Sequence, residues 1–128
     1  MTAAASTYLM DHPREASRLA EKVNAPAWVE RYLAQYVTPT AAVLDVGCGP
    51  GVLAAEVSRQ FPTATVTGLD VSQDRLHEAT MRLSDFQKAA VRQGDAIALP
   101  FPDEMFDLVY CRLLLQYLPD RGQAVREM

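Results

Sequence analysis

The sequence contains few of the residues that build disulfide frameworks or metal centres. It has two cysteines and two histidines among 128 residues. Cys48 lies within a glycine-rich stretch and Cys111 at the end of an apolar run, so we expect no disulfide framework. The scattered cysteines and histidines lack the spacing of a metal site. Free thiols fit a reducing compartment, and we therefore expect a cytoplasmic protein.

The chain also lacks a basic cluster and a long apolar run. Its net charge is −4, which argues against a nucleic-acid partner because such binding depends on Lys and Arg. No stretch approaches the ~18 apolar residues of a membrane span, and the first residues do not resemble a signal peptide. We therefore expect no membrane partner. The hydrophobic content of 49% is enough for the buried core of one domain.

The most informative stretch is an apolar run, Val43 to Val46, that leads into the glycine-rich turn Gly47-Cys48-Gly49-Pro50-Gly51. A glycine-rich turn between a strand and a helix lets backbone approach a ligand without an intervening Cβ. The helix that follows presents free N–H groups and the positive end of its dipole to an anionic group. A turn without a ligand is the alternative, but three alternating glycines beside an acid exceed what a turn requires.

This stretch resembles motif I of the class I S-adenosylmethionine-dependent methyltransferases, in which an acid precedes three alternating glycines, here Asp45, Gly47, Gly49 and Gly51. The competing interpretation is a nicotinamide or flavin dinucleotide fold with the pattern G-x-G-x-x-G. Val52 stands where that pattern needs glycine or alanine. The Asp45 carboxylate would also repel a pyrophosphate, whereas it suits a ligand with an ammonium group and a sulfonium. The resemblance implies S-adenosylmethionine as cofactor and S-adenosylhomocysteine as product.

Two further acids match the cofactor-binding pattern of that family. Asp70 follows an apolar run about 20 residues beyond Gly51, where an acid in this architecture binds the ribose hydroxyls. Helix capping is the alternative role for Asp70, although Ser72 already supplies a cap. The resemblance implies that Asp95 receives the adenine amino group and that the N–H of Ala96 meets a ring nitrogen. An ordinary Gly-Asp turn is the alternative there.

The remaining contacts follow from the resemblance alone. Val71 would pack on the adenine face, and the backbone of Cys111 and Arg112 would pass beneath the methionine end. Tyr8 and Gln116 are candidates for substrate contacts, and no histidine base is available where the chain has Gln116-Tyr117. The full set of expected cofactor contacts is Asp45, Gly47, Cys48, Gly49, Gly51, Asp70, Val71, Asp95, Ala96, Cys111 and Arg112. We expect no catalytic residue, because the cofactor carries an already activated methyl group.

The periodicity of the chain predicts an α/β protein. Helices are expected over residues 11–23 and 26–37, where an aromatic stripe that includes Trp28 either packs on the core or forms a lid. We divide the chain into a helical cap, residues 1–39, and a Rossmann-like domain, residues 40–128. Within that domain the predicted strands are Ala42–Val46, Ala64–Leu69, Ala89–Gln93 and Met105–Cys111, and the predicted helices run from Pro50 to Gln60 and from Gln73 to Lys88.

The resemblance implies a three-layer sandwich with a parallel sheet in the order 3-2-1-4, in which strands five to seven of the family fold are missing. The fourth strand would then be an unpaired apolar edge, which predicts a homodimer or strand exchange unless the N-terminal helices fold over it. The expected function is S-adenosylmethionine-dependent methyl transfer to an oxygen, nitrogen or carbon atom of a small molecule. The alternative is a non-catalytic or truncated S-adenosylmethionine-binding module that acts through a partner chain.

Overall fold

A computed structural model describes residues 24–128 of the chain. It contains a parallel sheet with helices on both faces. In chain order the elements are α1 (Ala25–Tyr32), a 3₁₀ helix (Ala34–Tyr36), β1 (Ala42–Val46), α2 (Val52–Gln60), β2 (Thr65–Asp70), α3 (Gln73–Leu83), β3 (Ala89–Gln93), β4 (Leu108–Tyr110), a second 3₁₀ helix (Leu115–Tyr117) and α4 (Arg121–Glu127).

The sheet has the order β3-β2-β1-β4, which confirms the predicted order and the Rossmann-like fold class. All three strand pairs are parallel. Side chains of β1 alternate between two apolar layers, because successive residues of a strand point to opposite faces. Val43 packs in the core beneath α1, α2 and α3, whereas Leu44 packs with Leu114 and Ala124 on the other face. The sheet is therefore covered on both sides, as a parallel sheet requires.

The described part of the predicted cap is packed on the core. Asn24 caps α1, where its side chain accepts a hydrogen bond from the N–H of Ala27. Val29, Leu33 and Val37 are buried against the sheet and α2. Of the aromatic stripe, Trp28 packs against this core while Tyr32 and Tyr36 are exposed. The helix predicted over residues 11–23 and the candidate residue Tyr8 lie outside the described residues.

Several predicted elements are longer in the sequence analysis than in the structure. The helix predicted over residues 26–37 ends at Tyr32, and a separate 3₁₀ helix follows over Ala34–Tyr36, because the N–H of Tyr36 donates to the Leu33 carbonyl three residues back. The α3 helix ends at Leu83 rather than Lys88, because Ser84 and Phe86 donate to carbonyls three residues back and turn the chain. Phe86 nevertheless packs on the core, and this explains its helical spacing. The β4 strand begins at Leu108 rather than Met105. Just before the strand, the N–H of Asp107 donates to the Ala42 carbonyl at 2.8 Å, and Asp107 Oδ2 accepts from the N–H of Ala42 at 2.8 Å. These two bonds anchor the chain before β4 begins.

Smaller differences lie at the glycine turn and at β2. The α2 helix begins at Val52 rather than Pro50, since Gly51 has a left-handed conformation and acts as its N-cap. The β2 strand runs one residue later than predicted and includes Asp70. No helix within residues 24–128 is long and apolar enough to cross a membrane. The same residues hold no group of three or more His, Cys, Asp or Glu side chains that could bind a metal ion.

Candidate functional site

A cleft opens at the carboxyl ends of β1, β2 and β3. Ligands of open parallel sheets bind at this end of the strands. The structure brings together five of the residues singled out in the sequence, while the other walls are mostly apolar. The lining residues are Gly47, Leu69, Asp70, Val71, Gly94, Asp95, Ala96, Ile97, Leu114, Leu118 and Pro119.

Gly47 of the glycine-rich turn forms part of the floor of the cleft, and the glycines of the turn are required by backbone geometry. Gly47, Gly49 and Gly51 have φ angles of 74°, 56° and 84°, which side chains disfavour. A Cβ on Gly47 would lie 2.8 Å from Leu114 Cδ1, and one on Gly51 would lie 3.1 Å from Ala79 Cβ. The turn therefore lets the chain pass close to both neighbours without a clash.

The N–H groups at the start of the turn are already paired. Those of Gly47 and Cys48 donate to the Leu69 carbonyl at 2.7 and 2.9 Å. The N–H of Gly49 donates to Asp70 Oδ2 at 2.9 Å. These three hydrogen bonds stabilise the turn against β2. Because the three N–H groups are already used, the turn contributes shape to the cleft, and an anion would have to bind other donors.

Asp70 connects the cleft to the glycine turn and to the start of α3. Its Oδ2 atom accepts from Gly49, and its Oδ1 atom accepts from the N–H of Ser72 at 3.0 Å. Ser72 Oγ in turn accepts from the N–H of Arg75 and is the N-cap of α3. Asp70 also lines the cleft. Both weighed roles, anchoring of the helix start and ligand binding, are compatible with this geometry.

Asp95 lies in a tight turn that faces the cleft. Its Oδ1 atom accepts from the N–H of Ile97 at 3.1 Å, and its carbonyl accepts from the N–H of Ala98 at 3.0 Å. The Gly-Asp turn considered as an alternative is therefore present, and Asp95 also lines the cleft. Ala96 is buried beside it in the cleft wall.

Asp45 lies behind the floor of the cleft rather than in its lining. It is 3% exposed, and the Tyr110 hydroxyl donates to its Oδ2 atom at 2.8 Å. Burial raises the pKa of Asp45, the bond from Tyr110 lowers it and the Asp70 charge raises it. Together these effects raise the pKa from 3.8 to about 7. Tyr110 was not singled out in the sequence, because its partner stands on another strand and no local signal connects them.

The other predicted residues lie around the cleft without lining it. The Cys48 side chain is buried under α3 with Leu76, Ala79 and Val91, and burial raises the pKa of its thiol well above the ordinary value. Cys111 is half-buried on the other face of the sheet. Gln116 is exposed within the second 3₁₀ helix. The positions outside the cleft lining are Asp45, Cys48, Gly49, Gly51, Cys111, Arg112 and Gln116.

Leu114 is a lining residue that the sequence analysis did not identify. It is buried, it packs with Leu44, Leu69 and Ala96, and it lies directly over Gly47. The preceding residue, Leu113, has a φ of 55°, which directs the chain back over the glycine turn. The apolar run Leu113-Leu114-Leu115 was the available signal, but it does not show which of the three side chains points into the cleft.

Comparisons with known proteins agree with this architecture. Residues 43–128 match a family model described as a methyltransferase domain. The chain is 32% identical over 111 residues to an uncharacterized methyltransferase of Schizosaccharomyces pombe, a match that covers 80% of this chain and 40% of that protein. It is 35% identical over 106 residues to the demethylmenaquinone methyltransferase of Lactiplantibacillus plantarum, covering 79% of this chain and 45% of that protein.

A solved structure supports the fold. A SAM dependent methyltransferase from Aquifex aeolicus superposes with a TM-score of 0.77, covering 91% of this chain and 64% of that one. At 19% identity this likeness shows the fold alone. The chain spans less than half the length of the two curated relatives described above, at 40% and 45%.

Proposed function

The chain belongs to the class I S-adenosylmethionine-dependent methyltransferase family, and we propose that it binds S-adenosylmethionine in the cleft described above and supports methyl transfer to a small molecule. The observation that carries this proposal is the convergence of Gly47, Asp70 and Asp95 on one cleft at the carboxyl ends of the strands. Five of the eleven cofactor contacts expected from the family resemblance line this cleft.

The adenosine part of the cofactor fits the two acids and the apolar walls. Asp70 would accept hydrogen bonds from the ribose hydroxyls. Hydrogen bonds to a charged carboxylate are stronger than those between neutral groups. Asp95 would receive the adenine amino group, with the N–H of Ala96 beside it. Val71 and Ile97 line the cleft and offer apolar surface to the flat ring.

The methionine part would lie toward Gly47 and the segment that follows β4. Gly47 and Leu114, which are in close contact, both line this part of the cleft. We propose that the backbone of Cys111 and Arg112 borders this end, with the Asp45 carboxylate behind the floor. When bound, S-adenosylmethionine supplies a methyl group on a sulfonium, which needs no protein nucleophile. The residues of the chain would orient the reactants and exclude water.

The proposed acceptor is a small molecule, and its reacting atom is oxygen, nitrogen or carbon. The net charge of −4 disfavours a nucleic acid, and the name of the demethylmenaquinone methyltransferase specifies a small acceptor for that protein. Gln116 and Tyr8 remain our candidates for acceptor contacts. The division into a cap, residues 1–39, and a cofactor domain, residues 40–128, is part of this proposal.

The direct test is calorimetric titration of the chain with S-adenosylhomocysteine, with NADH as the control ligand. We expect saturable binding of S-adenosylhomocysteine and none of NADH. Equal binding of NADH, or no binding of S-adenosylhomocysteine by a chain that circular dichroism shows to be folded, would contradict the proposal. Binding without transfer to any acceptor would favour the alternative of a binding module that acts through a partner.

The Asp70→Ala variant tests the ribose contact. We expect the affinity for S-adenosylhomocysteine to fall by roughly 1–3 kcal/mol, the range for hydrogen bonds to a charged group. The matched control is Asp74→Ala, which removes an exposed carboxylate in the first turn of α3 and leaves the cleft lining unchanged. An unchanged affinity in folded Asp70→Ala protein would exclude Asp70 from the cofactor site.

A further inference from the structure

Tyr110 and Asp45 form a buried pair directly behind the floor of the cleft. They are register partners on the neighbouring strands β4 and β1. The Tyr110 hydroxyl donates to Asp45 Oδ2 at 2.8 Å, and the two residues are 7% and 3% exposed. Because Asp45 stands two residues before Gly47, its carboxylate lies where the strand enters the glycine turn.

The tyrosine ring is held by the N-terminal part of the described chain. The Trp28 ring of α1 lies 6.1 Å from the Tyr110 ring, centroid to centroid, in a tilted arrangement. Aromatic pairs at this separation attract one another beyond the area that they bury. The ring is thus packed between α1 and the sheet, and this packing directs its hydroxyl toward Asp45.

We propose that Tyr110 is a positioning residue that holds the Asp45 carboxylate in the orientation needed to attract the ammonium group of the cofactor. This inference rests on the proposed function, because it takes that ammonium group to lie at the Gly47 end of the cleft. Tyr110 itself does not line the cleft and would act only through Asp45.

The electrostatics of the pair support the same assignment. Asp45 faces the Tyr110 hydroxyl on β4, the Asp70 carboxylate on β2 and the thiols of Cys48 and Cys111. The pKa of Asp45 is raised to about 7, because burial and the Asp70 charge raise it more than the bond donated by Tyr110 lowers it. Loss of the Tyr110 hydroxyl would therefore favour a neutral Asp45 at neutral pH. A neutral carboxyl group would attract an ammonium group much less than a carboxylate does.

The Tyr110→Phe variant tests this role, because it removes the hydroxyl and retains the ring that packs on Trp28. We expect the affinity of the wild-type chain for S-adenosylhomocysteine to fall as the pH is lowered through about 7, where Asp45 takes up a proton. In the variant this fall should begin at higher pH, with about tenfold weaker binding at pH 7. The matched control is Tyr36→Phe, the same change at a side chain that is 58% exposed.

A double-variant comparison separates positioning from general stability. In the Asp45→Asn background, Tyr110→Phe should have little further effect on affinity, because the carboxylate through which Tyr110 acts is absent. An equal loss in both backgrounds, or a wild-type pH profile in folded Tyr110→Phe protein, would overturn the inference.

Measurements on the unchanged chain keep the inference testable if the variant does not fold. Binding by the wild-type chain that is independent of pH between about 6 and 8 would overturn the role of Asp45, and hence of Tyr110, while leaving the proposed function standing. A folded wild-type chain that binds no S-adenosylhomocysteine at any pH would overturn the proposed function and this inference together.

Discussion

At the scale of single residues, Asp45 couples the stability of the chain to pH. Its folded-state pKa is about 7, against 3.8 for the ordinary carboxyl, so the folded chain retains a proton that the unfolded chain releases. Between these two values the free energy of unfolding should decrease as the pH rises, by roughly 4 kcal/mol in all. Above about pH 7 Asp45 is ionised in both the folded and the unfolded chain, so it no longer makes the free energy of unfolding depend on pH.

Urea unfolding at a series of pH values measures this effect. The Asp45→Asn variant should lose most of the pH dependence between about 4 and 7 and should be more stable than the wild-type chain at pH 8. Asp85→Asn, at an exposed position, is the control and should retain the wild-type profile. An identical pH profile in the Asp45→Asn protein would show that Asp45 is not the responsible group.

Gly47 illustrates a residue whose missing side chain has a structural role. The Gly47→Ala variant would place a Cβ at 2.8 Å from Leu114 and force an alanine to a φ of 74°. We expect a loss of roughly 1–3 kcal/mol in the free energy of unfolding, together with weaker binding of S-adenosylhomocysteine.

Gly122→Ala is the matched control for Gly47→Ala. Gly122 lies in α4, where the nearest obstacle to a Cβ is the flexible end of Arg126, at 3.2 Å. Because alanine is a better helix former than glycine, this variant should gain roughly 0.5–1 kcal/mol. Denaturation curves that shift in the same direction for both variants would contradict the role assigned to the glycine turn.

At the scale of secondary-structure elements, α3 begins two residues after Val71, which lines the cleft. Ser72 Oγ caps it, and Asp70 holds the Ser72 backbone. The Ser72→Ala variant should lose about 1 kcal/mol of stability, the usual cost of removing an N-cap. Ser84→Ala, at the exposed end of the same helix, should change stability by less than about 0.5 kcal/mol. Equal losses in urea denaturation would show that the cap has no special contribution.

At the scale of the whole molecule, the outer edge of the sheet predicts self-association. Within residues 24–128, β4 is an outer strand of the sheet. A cleft beside it is lined by apolar side chains that include Phe101, Phe106 and Val109, together with the charged residues Asp103, Glu104, Arg126 and Glu127. Unpaired strand edges next to apolar surface tend to recruit a second chain. We therefore predict a homodimer that forms through β4, in agreement with the expectation from the sequence.

Sedimentation velocity over a range of concentrations tests this association. Met105→Glu, at a side chain that lines the β4 cleft and is 50% exposed, should weaken the dimer through charge repulsion and desolvation. Met81→Glu, on α3 at 67% exposure, should leave it unchanged. A monomer at every concentration in the wild-type chain would contradict the predicted dimer.

Local sequence determined the approximate strands and the glycine turn, whereas the order of the sheet was predicted through the family resemblance. Alternating glycines after an apolar run predict a turn with positive φ angles, because only glycine adopts them without strain. Strands that alternate with helices predict a parallel sheet, since parallel neighbours require crossover connections. Asp70 was found from its spacing to the glycine turn, and Asp95 was found through the family resemblance. In the structure Asp70 ends β2 and Asp95 lies two residues after β3, and carboxyl ends of parallel strands meet at one edge.

Only the tertiary structure decided which side chains meet across the chain. Tyr110 and Asp45 are separated by 65 residues, and their bond depends on the register of β1 against β4. Leu114 covers Gly47 because Leu113 turns the chain back, and the start of β4 depends on the contact of Asp107 with Ala42. These features arise from packing between distant segments, which periodicity and spacing do not encode. The sequence therefore determined the elements and the edge that carries the cleft, whereas folding decided how deeply Asp45 is buried and what its carboxylate contacts.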